Sequence, residues 1–226
     1  YDGLGQLVKE TDALGNVTVY DYDVLGRMIR QIDANGNTTV YDYNPDSTLK
    51  SVTYADGGEV SFGYDKLGRK IVETNQLGNT TTYTYNGLGK QRTVTDPYGN
   101  TQEFKTDLAG NLISQKDKRG SVTLFKYDAN NRMIEKRTPL EFDAGGNVVY
   151  AVETTVYDKV GNVIKQTMTS SRDKSFIRET SYTYADNNLL LTVSDNGGAY
   201  TKYAYDKNGN VVTKETLRDK DLFDVE

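Results

Sequence analysis

Apolar and polar positions alternate along the chain in short runs of about five residues, and clusters of Gly, Asn and Asp separate the runs. In one kind of run the period is two. Thr18, Tyr20 and Tyr22 alternate with Val19 and Asp21, and Thr39, Tyr41 and Tyr43 alternate with Val40 and Asp42. That spacing puts the aromatic set on one face of a pleated strand and Asp21, Asp42, Thr84, Lys105 and Lys126 on the other. The other kind of run carries an aliphatic pair just past its turn, as in Leu7-Val8, Met28-Ile29, Leu112-Ile113, Met133-Ile134, Val163-Ile164, Leu190-Leu191 and Val211-Val212. These pairs are expected to fill between the aromatics. Thr, Val and Tyr suit a sheet, the recurring glycines break any helical reading, and no helix is predicted.

The pattern repeats. Tyr1, Tyr22, Tyr43, Tyr64, Tyr85, Thr106 and Tyr127 are 21 residues apart, intervals of 30 and 27 lead to Tyr157 and Tyr184, and Tyr205 follows 21 later. The chain is read as one array, 1–226, of about ten units beginning near 1, 22, 43, 64, 85, 106, 127, 157, 184 and 205, with longer segments at 128–156 and 158–183. Each unit contains two turns, whose glycines are Gly5, Gly15, Gly26, Gly36, Gly68, Gly78, Gly89, Gly99, Gly110, Gly120, Gly161 and Gly209. Glycine tolerates the positive φ such turns need, and Asp or Asn side chains bond back to the local backbone.

Successive hairpins predict an all-β fold, a long antiparallel meander. Strand twist must coil about 20 strands into a spiral or partial β-shell, a wide barrel or an arc. The structural ladder of that sheet comprises Tyr20, Tyr22, Tyr41, Tyr43, Phe62, Tyr64, Tyr83, Tyr85, Phe104, Phe125, Tyr127, Tyr157, Tyr182, Tyr184, Tyr203 and Tyr205, with Thr155 the exception in its slot. As a buried lattice replacing a globular core, it sets the expected cost of Tyr83→Ala at about 3 kcal/mol or more, and that of Lys105→Ala near zero. The surplus residues at Thr138–Asn147 and Ser170–Ser175 are expected to be longer hairpins or loops, and the charged stretch from Thr216 to Asp221 a frayed tail.

Composition removes most chemistries. The 226 residues include 18 Tyr but no Cys, His or Trp, which excludes disulfides, thiol nucleophiles, imidazole acid–base catalysis and Cys/His zinc sites. Carboxylates alone can run a glycosidase, but a catalytic pair is singular and these Asp residues recur at the same turn slots. Asp21-Tyr22-Asp23 and Asp42-Tyr43-Asn44 do not continue into a calcium loop. The expectation is a protein that is not an enzyme, with no catalytic, metal or cofactor-binding residue and no cofactor. Off-ladder tyrosines Tyr54, Tyr98, Tyr150 and Tyr200 are the candidates for any sugar contact. A net charge of −5 argues against nucleic acid, and no apolar run is long enough for a membrane-spanning helix.

Tyr-Asp followed by x-x-Gly-Arg or Asn recurs about every 21 residues and resembles the YD-repeat or RHS-repeat family, although Gly-Arg itself survives only at Gly26-Arg27 and Gly68-Arg69, with Asn131-Arg132 a near miss. That family includes bacterial Rhs and wall-associated polymorphic toxins, shell components of insecticidal toxin complexes, and teneurins. The resemblance implies a spiralling β-sheet that in the toxins encloses a C-terminal toxin domain, and in teneurins forms part of an adhesion ectodomain. The family's self-cleaving closing motif is absent: Asp96-Pro97-Tyr98-Gly99 is followed by Asn100 and reads as an ordinary turn.

The expected role is a structural shell segment of a secreted or cell-surface protein, bacterial cell wall-associated, encapsulating and helping deliver a polypeptide toxin. The alternative is a cell-surface adhesin or carbohydrate- or protein-binding module. The expected partners are the remainder of the same polypeptide with its toxin cargo, and other copies through self-association. Opening on Tyr1-Asp2-Gly3, the chain reads as a piece of something longer.

Overall fold

The computed structural model describes residues 1–173 and 177–217. Lys174, Ser175 and the tail from Arg218 onward lie outside the described residues. Among those described there are nineteen strands, all antiparallel and in chain order, and no helix. The chain divides into two compact units, 1–102 and 103–226.

The first unit holds β1 (Lys9–Thr11), β2 (Val17–Tyr22), β3 (Met28–Ile32), β4 (Thr38–Tyr43), β5 (Leu49–Thr53), β6 (Glu59–Tyr64), β7 (Lys70–Thr74), β8 (Thr80–Tyr85) and β9 (Gln91–Thr95). At the boundary lies β10 (Thr101–Thr106). Then come β11 (Leu112–Lys116), β12 (Val122–Tyr127), β13 (Met133–Phe142), β14 (Val148–Tyr157), β15 (Val163–Ser170), β16 (Ile177–Tyr184), β17 (Leu190–Asp195), β18 (Tyr200–Tyr205) and β19 (Val211–Leu217). Two segments break the 21-residue count, and most of their surplus lengthens strands: β13 and β14 have ten residues each, β15 and β16 eight each.

Outside the β15–β16 connection, the turns among the described residues are built alike. Between β1 and β2, the Asp12 amide bonds the Asn16 carbonyl at 3.0 Å and the Gly15 amide bonds the Asp12 carbonyl at 3.0 Å, with Gly15 at φ 86°. All twelve turn glycines named from the sequence have positive φ, as do Gly57, Gly146 and Gly198. Ser47, Asn131 and Asn188 hold the same slot at φ of 60–68°. Gly78 isolates the backbone cost, because a Cβ there would meet nothing within 4 Å. Gly78→Ala is expected to destabilise by about 1 kcal/mol, and Gly78→Asn by about half as much, since Asn tolerates this region. Denaturant melts check this, and equal costs would mean that φ is not what decides it.

Residues directly opposite in an antiparallel pair share a face. In the first unit the register runs Tyr20↔Gln31↔Thr39, Tyr41↔Val52↔Val60, Phe62↔Glu73↔Thr81 and Tyr83↔Val94, so the aromatics lie on one side. In the second, Phe104↔Gln115↔Thr123, Phe125↔Lys136↔Glu153, Thr155↔Gln166↔Thr180, Tyr182↔Val193↔Thr201 and Tyr203↔Lys214 do the same. The opposite face carries paired charges such as Lys126–Glu135 at 2.9 Å and the threonine pair Thr84–Thr93 at 2.6 Å.

Two expectations are corrected. Six of the seven aliphatic pairs do not fill between the rungs as a unit, because each of them straddles a β-bulge. Tyr22 pairs with Met28 and Asp21 with Arg30, leaving Ile29 as the extra residue. The same offset recurs at Ile113, Ile134, Ile164, Leu191 and Val212, and each bulge sharpens the local right-handed twist. Nor is the ladder a buried core. Among the described hydrophobic residues only Val52, Val149 and Val152 are buried, and no side chain falls below 2% exposure. A sheet with no second layer over it leaves its aromatics half-buried, covered by their neighbours along the ladder.

Candidate functional site

The segment at the start of a unit, Tyr-Asp-x-x-Gly-Arg in full at Tyr22–Arg27 and Tyr64–Arg69, builds a recurring structure. The Asp carboxylate organises the turn. Asp65 Oδ1 accepts the Leu67 amide at 2.9 Å and the Arg69 amide at 3.1 Å, while Oδ2 accepts Arg69 Nε at 2.7 Å. Asp23 with Arg27 and Asp128 with Arg132 repeat this geometry. Where Asn replaces Arg, its amide takes the same oxygen: Asn111 Nδ2 to Asp107 at 3.0 Å, Asn210 Nδ2 to Asp206 at 2.9 Å. The donated side-chain bond, then backbone amides, hold Asp23 and Asp128 below the usual carboxylate range.

The arginine also reaches into the next repeat. Arg27 lies 4.7 Å over the Tyr43 ring, Arg69 4.7 Å over Tyr85 and Arg132 4.5 Å over Tyr157. Its Nη1 donates to the next turn's carbonyl, Asn44 at 3.2 Å from Arg27 and Asp158 at 3.3 Å from Arg132. Asparagines in this slot span the gap another way: Asn111 to the Asn131 side chain at 2.8 Å, Asn162 to that of Asn188 at 3.0 Å. One residue thus pins its own turn and clamps its neighbour.

The anchor tyrosine answers the bulge. Its hydroxyl donates to the carbonyl of the preceding repeat's strand: Tyr43 to Met28 at 2.8 Å, Tyr85 to Lys70 at 2.7 Å, Tyr157 to Met133 at 3.0 Å, Tyr184 to Val163 at 2.9 Å and Tyr205 to Leu190 at 2.7 Å. Each acceptor is the first residue of the bulge, where the strand ladder is interrupted. This accounts for an asymmetry in the sequence. The anchor slot holds Tyr at nine positions, Thr106 at the tenth and Phe at none, in keeping with the hydroxyl bonds made by six of these tyrosines, Tyr22 to the Leu7 carbonyl among them. Two residues earlier Phe62, Phe104 and Phe125 alternate freely with Tyr. Tyrosines of that earlier slot bond to a neighbouring side chain when one suits, as Tyr83 does to Glu73 at 3.2 Å and Tyr182 to Gln166 at 2.7 Å. Burial first of all raises the Tyr83 and Tyr43 hydroxyl pKa values.

The off-ladder tyrosines sit on four different hairpins. Tyr98 is 86% exposed in the turn of Asp96, which makes the same bonds as the other turns, and Tyr54 opens another turn. Tyr150 and Tyr200 lie in β14 and β18. Among the described residues no group of three or more carboxylates could hold a metal ion. Two depressions belong to the second unit: one of about 360 Å³ beside Val122, Pro139, Phe142, Val148 and Tyr150, another of about 190 Å³ beside Thr155.

Inter-repeat clamps every 21 residues on an antiparallel meander define a β-hairpin repeat protein. More particularly, the RHS Repeat family model matches residues 1–38, 22–59, 64–101, 107–141 and 184–221, and the chain belongs to that family. No curated protein sequence matches it. The fold is similar to solved structures of TcdB2-TccC3 (TM-score 0.55, 16% identity, covering 90% of this chain and 14% of that one) and of TcdB2-TccC3-Cdc42 (0.56, 15%, 88% and 13%). It is also similar to a Photorhabdus luminescens Tc holotoxin pore (0.55, 16%, 88% and 13%). The chain spans 14% or less of those solved chains. No helix among the described residues is long and apolar enough to cross a membrane.

Proposed function

We propose that this chain is a segment of shell wall in a secreted or cell-surface RHS-repeat protein, and that the wall encloses and helps deliver a polypeptide toxin carried downstream. The observation that carries this reading is the unbroken division of labour between faces. Six anchor hydroxyls and the turn residues Arg27, Arg69, Asn111, Arg132 and Asn162 are spent on the neighbouring repeat, which is what a wall needs. The turn aspartates Asp23, Asp65 and Asp128 are each committed to backbone amides and an arginine side chain, which supports a non-catalytic role. The likeness in fold to TcdB2-TccC3 supports a toxin-complex setting, and the net charge of −5 supports a partner other than nucleic acid.

Limited proteolysis of the full-length polypeptide tests the proposal. A segment downstream of the repeats is expected to resist cleavage in the intact protein, and to become sensitive when Arg27, Arg69 and Arg132 are all replaced by Ala. Cleavage of that segment as fast as in isolation, or a polypeptide with no such segment, would overturn it. Glycan binding lost on Tyr98→Ala would favour the adhesin reading instead.

A further inference from the structure

We propose that the interruption of the aromatic ladder at Thr155 is a receptor notch for a single aromatic side chain carried by an acidic peptide segment of a partner. The slot two residues before each anchor is otherwise aromatic, at Tyr20, Tyr41, Phe62, Tyr83, Phe104, Phe125, Tyr182 and Tyr203. Thr155 leaves that rung without its ring, and a depression of about 190 Å³ lies there, lined by Glu153, Thr155, Gln166, Met168, Arg178 and Thr180. An enclosed cavity of ~150 Å³ holds one benzene, and this depression, which is open to solvent on one side, offers a comparable volume against which one ring can lie.

The register puts these six residues together on the ladder face of β14, β15 and β16: Thr155 opposite Gln166, Glu153 opposite Met168, Met168 opposite Arg178 and Gln166 opposite Thr180. Gln166 Oε1 already accepts the Tyr182 hydroxyl at 2.7 Å, which fixes its amide beside the gap. Met168 is 45% exposed and offers a polarisable contact for a ring edge.

Charge selects the rest of the occupant. Glu153 is paired with Lys136 at 3.0 Å and Glu179 with Lys165 at 2.7 Å, whereas Arg178 forms no ion pair with another described residue. The notch therefore presents a cation next to an aromatic-sized gap. Elsewhere on this face cations already lie over rings, with Lys70 Nζ 5.6 Å from Phe62 and 5.0 Å from Tyr83. A guest ring flanked by a carboxylate would satisfy both features of the site.

The test uses the chain alone, with small probes, so its result is independent of whether the wall encloses anything. N-acetyltyrosine is titrated against the protein while the Met168 methyl resonance is followed. A saturable shift is expected. N-acetyltyrosinamide should bind about two- to five-fold more weakly, the worth of one exposed ion pair. Thr155→Tyr, which restores the rung, should abolish the saturable shift, whereas Thr155→Val should retain it. Arg178→Gln should bring the acid and the amide to equal affinity. Equal binding of N-acetylleucine, undiminished binding to the Thr155→Tyr variant, or an unchanged acid preference in Arg178→Gln would each overturn the proposal.

Discussion

Tyr85→Ala is expected to lower the stability of the first unit by about 3.5 kcal/mol, and Tyr43→Ala, which removes the same kinds of contact, should match it. Three contributions add. A fully buried aromatic truncated to Ala costs 3–5 kcal/mol, and a half-buried one about 2. The hydroxyl bond to the Lys70 carbonyl at 2.7 Å contributes about 1 kcal/mol, since its loss leaves a bulge carbonyl without its partner. The Arg69 guanidinium 4.7 Å over the ring adds about 0.5 kcal/mol. Tyr85→Phe removes only the second contribution, so about 1 kcal/mol.

Tyr83 supplies the contrast. It is half-buried on the same face, but its hydroxyl meets the partly exposed Glu73 carboxylate, and no backbone acceptor depends on it. Tyr83→Ala should cost about 2 kcal/mol, less than a buried aromatic, and Tyr83→Phe under 0.5. Lys105→Ala, on the opposite exposed face, should be nearly neutral. Denaturant melts with a probe in the affected repeats measure all of these, since stability in such arrays is nearest-neighbour in character. Tyr83→Phe proving costlier than Tyr85→Phe would reverse the roles assigned to the two slots.

Acid should dissolve the turns together. Side-chain bonds from the residue four positions later hold Asp12, Asp23, Asp33, Asp65, Asp107, Asp128 and Asp206 below the ordinary carboxylate value. A depressed folded-state pKa means stability that is complete above the unfolded value, near 3.9, and is lost as pH falls through the folded value. Far-UV circular dichroism should therefore be flat from pH 7 to about 4.5 and fall steeply below about 4. Each group is exposed, so the collapse comes from repetition. Asn75 and Asn86 cap their turns through the same oxygen without titrating, and Asp65→Asn is expected to make its own repeat less acid-sensitive. A spectrum unchanged down to pH 2.5 would refute the clamp's dependence on ionised Asp.

Much of this protein could be read before its coordinates. The period of two in Thr39-Val40-Tyr41-Asp42-Tyr43 places aromatics and charges on opposite faces by geometry alone, and Asp-x-x-Gly specifies a turn through one side-chain oxygen and one positive φ. The repeat count multiplies each local signal and removes the usual ambiguity. Less legible were the bulges. Met28-Ile29 looks like a pair packed together, but the pairing of Tyr22 with Met28 and Asp21 with Arg30 leaves Ile29 as the odd residue. The signal was present, since two neighbouring aliphatics cannot share a face of a regular strand.

The amino-acid sequence by itself determined the hairpins, the turns and the side of the sheet each rung occupies, because those depend on turns closed by residues four apart and on the period of two along each run. Tertiary structure decided which carbonyl each anchor hydroxyl satisfies, which ring each arginine covers, how far the aromatics are buried and where the ladder lies open at Thr155. Those outcomes join residues fifteen or more positions apart, from Tyr85 to Lys70 and from Arg132 to Asp158. Strand register brings them into contact, and register is a property of the paired sheet rather than of any single run.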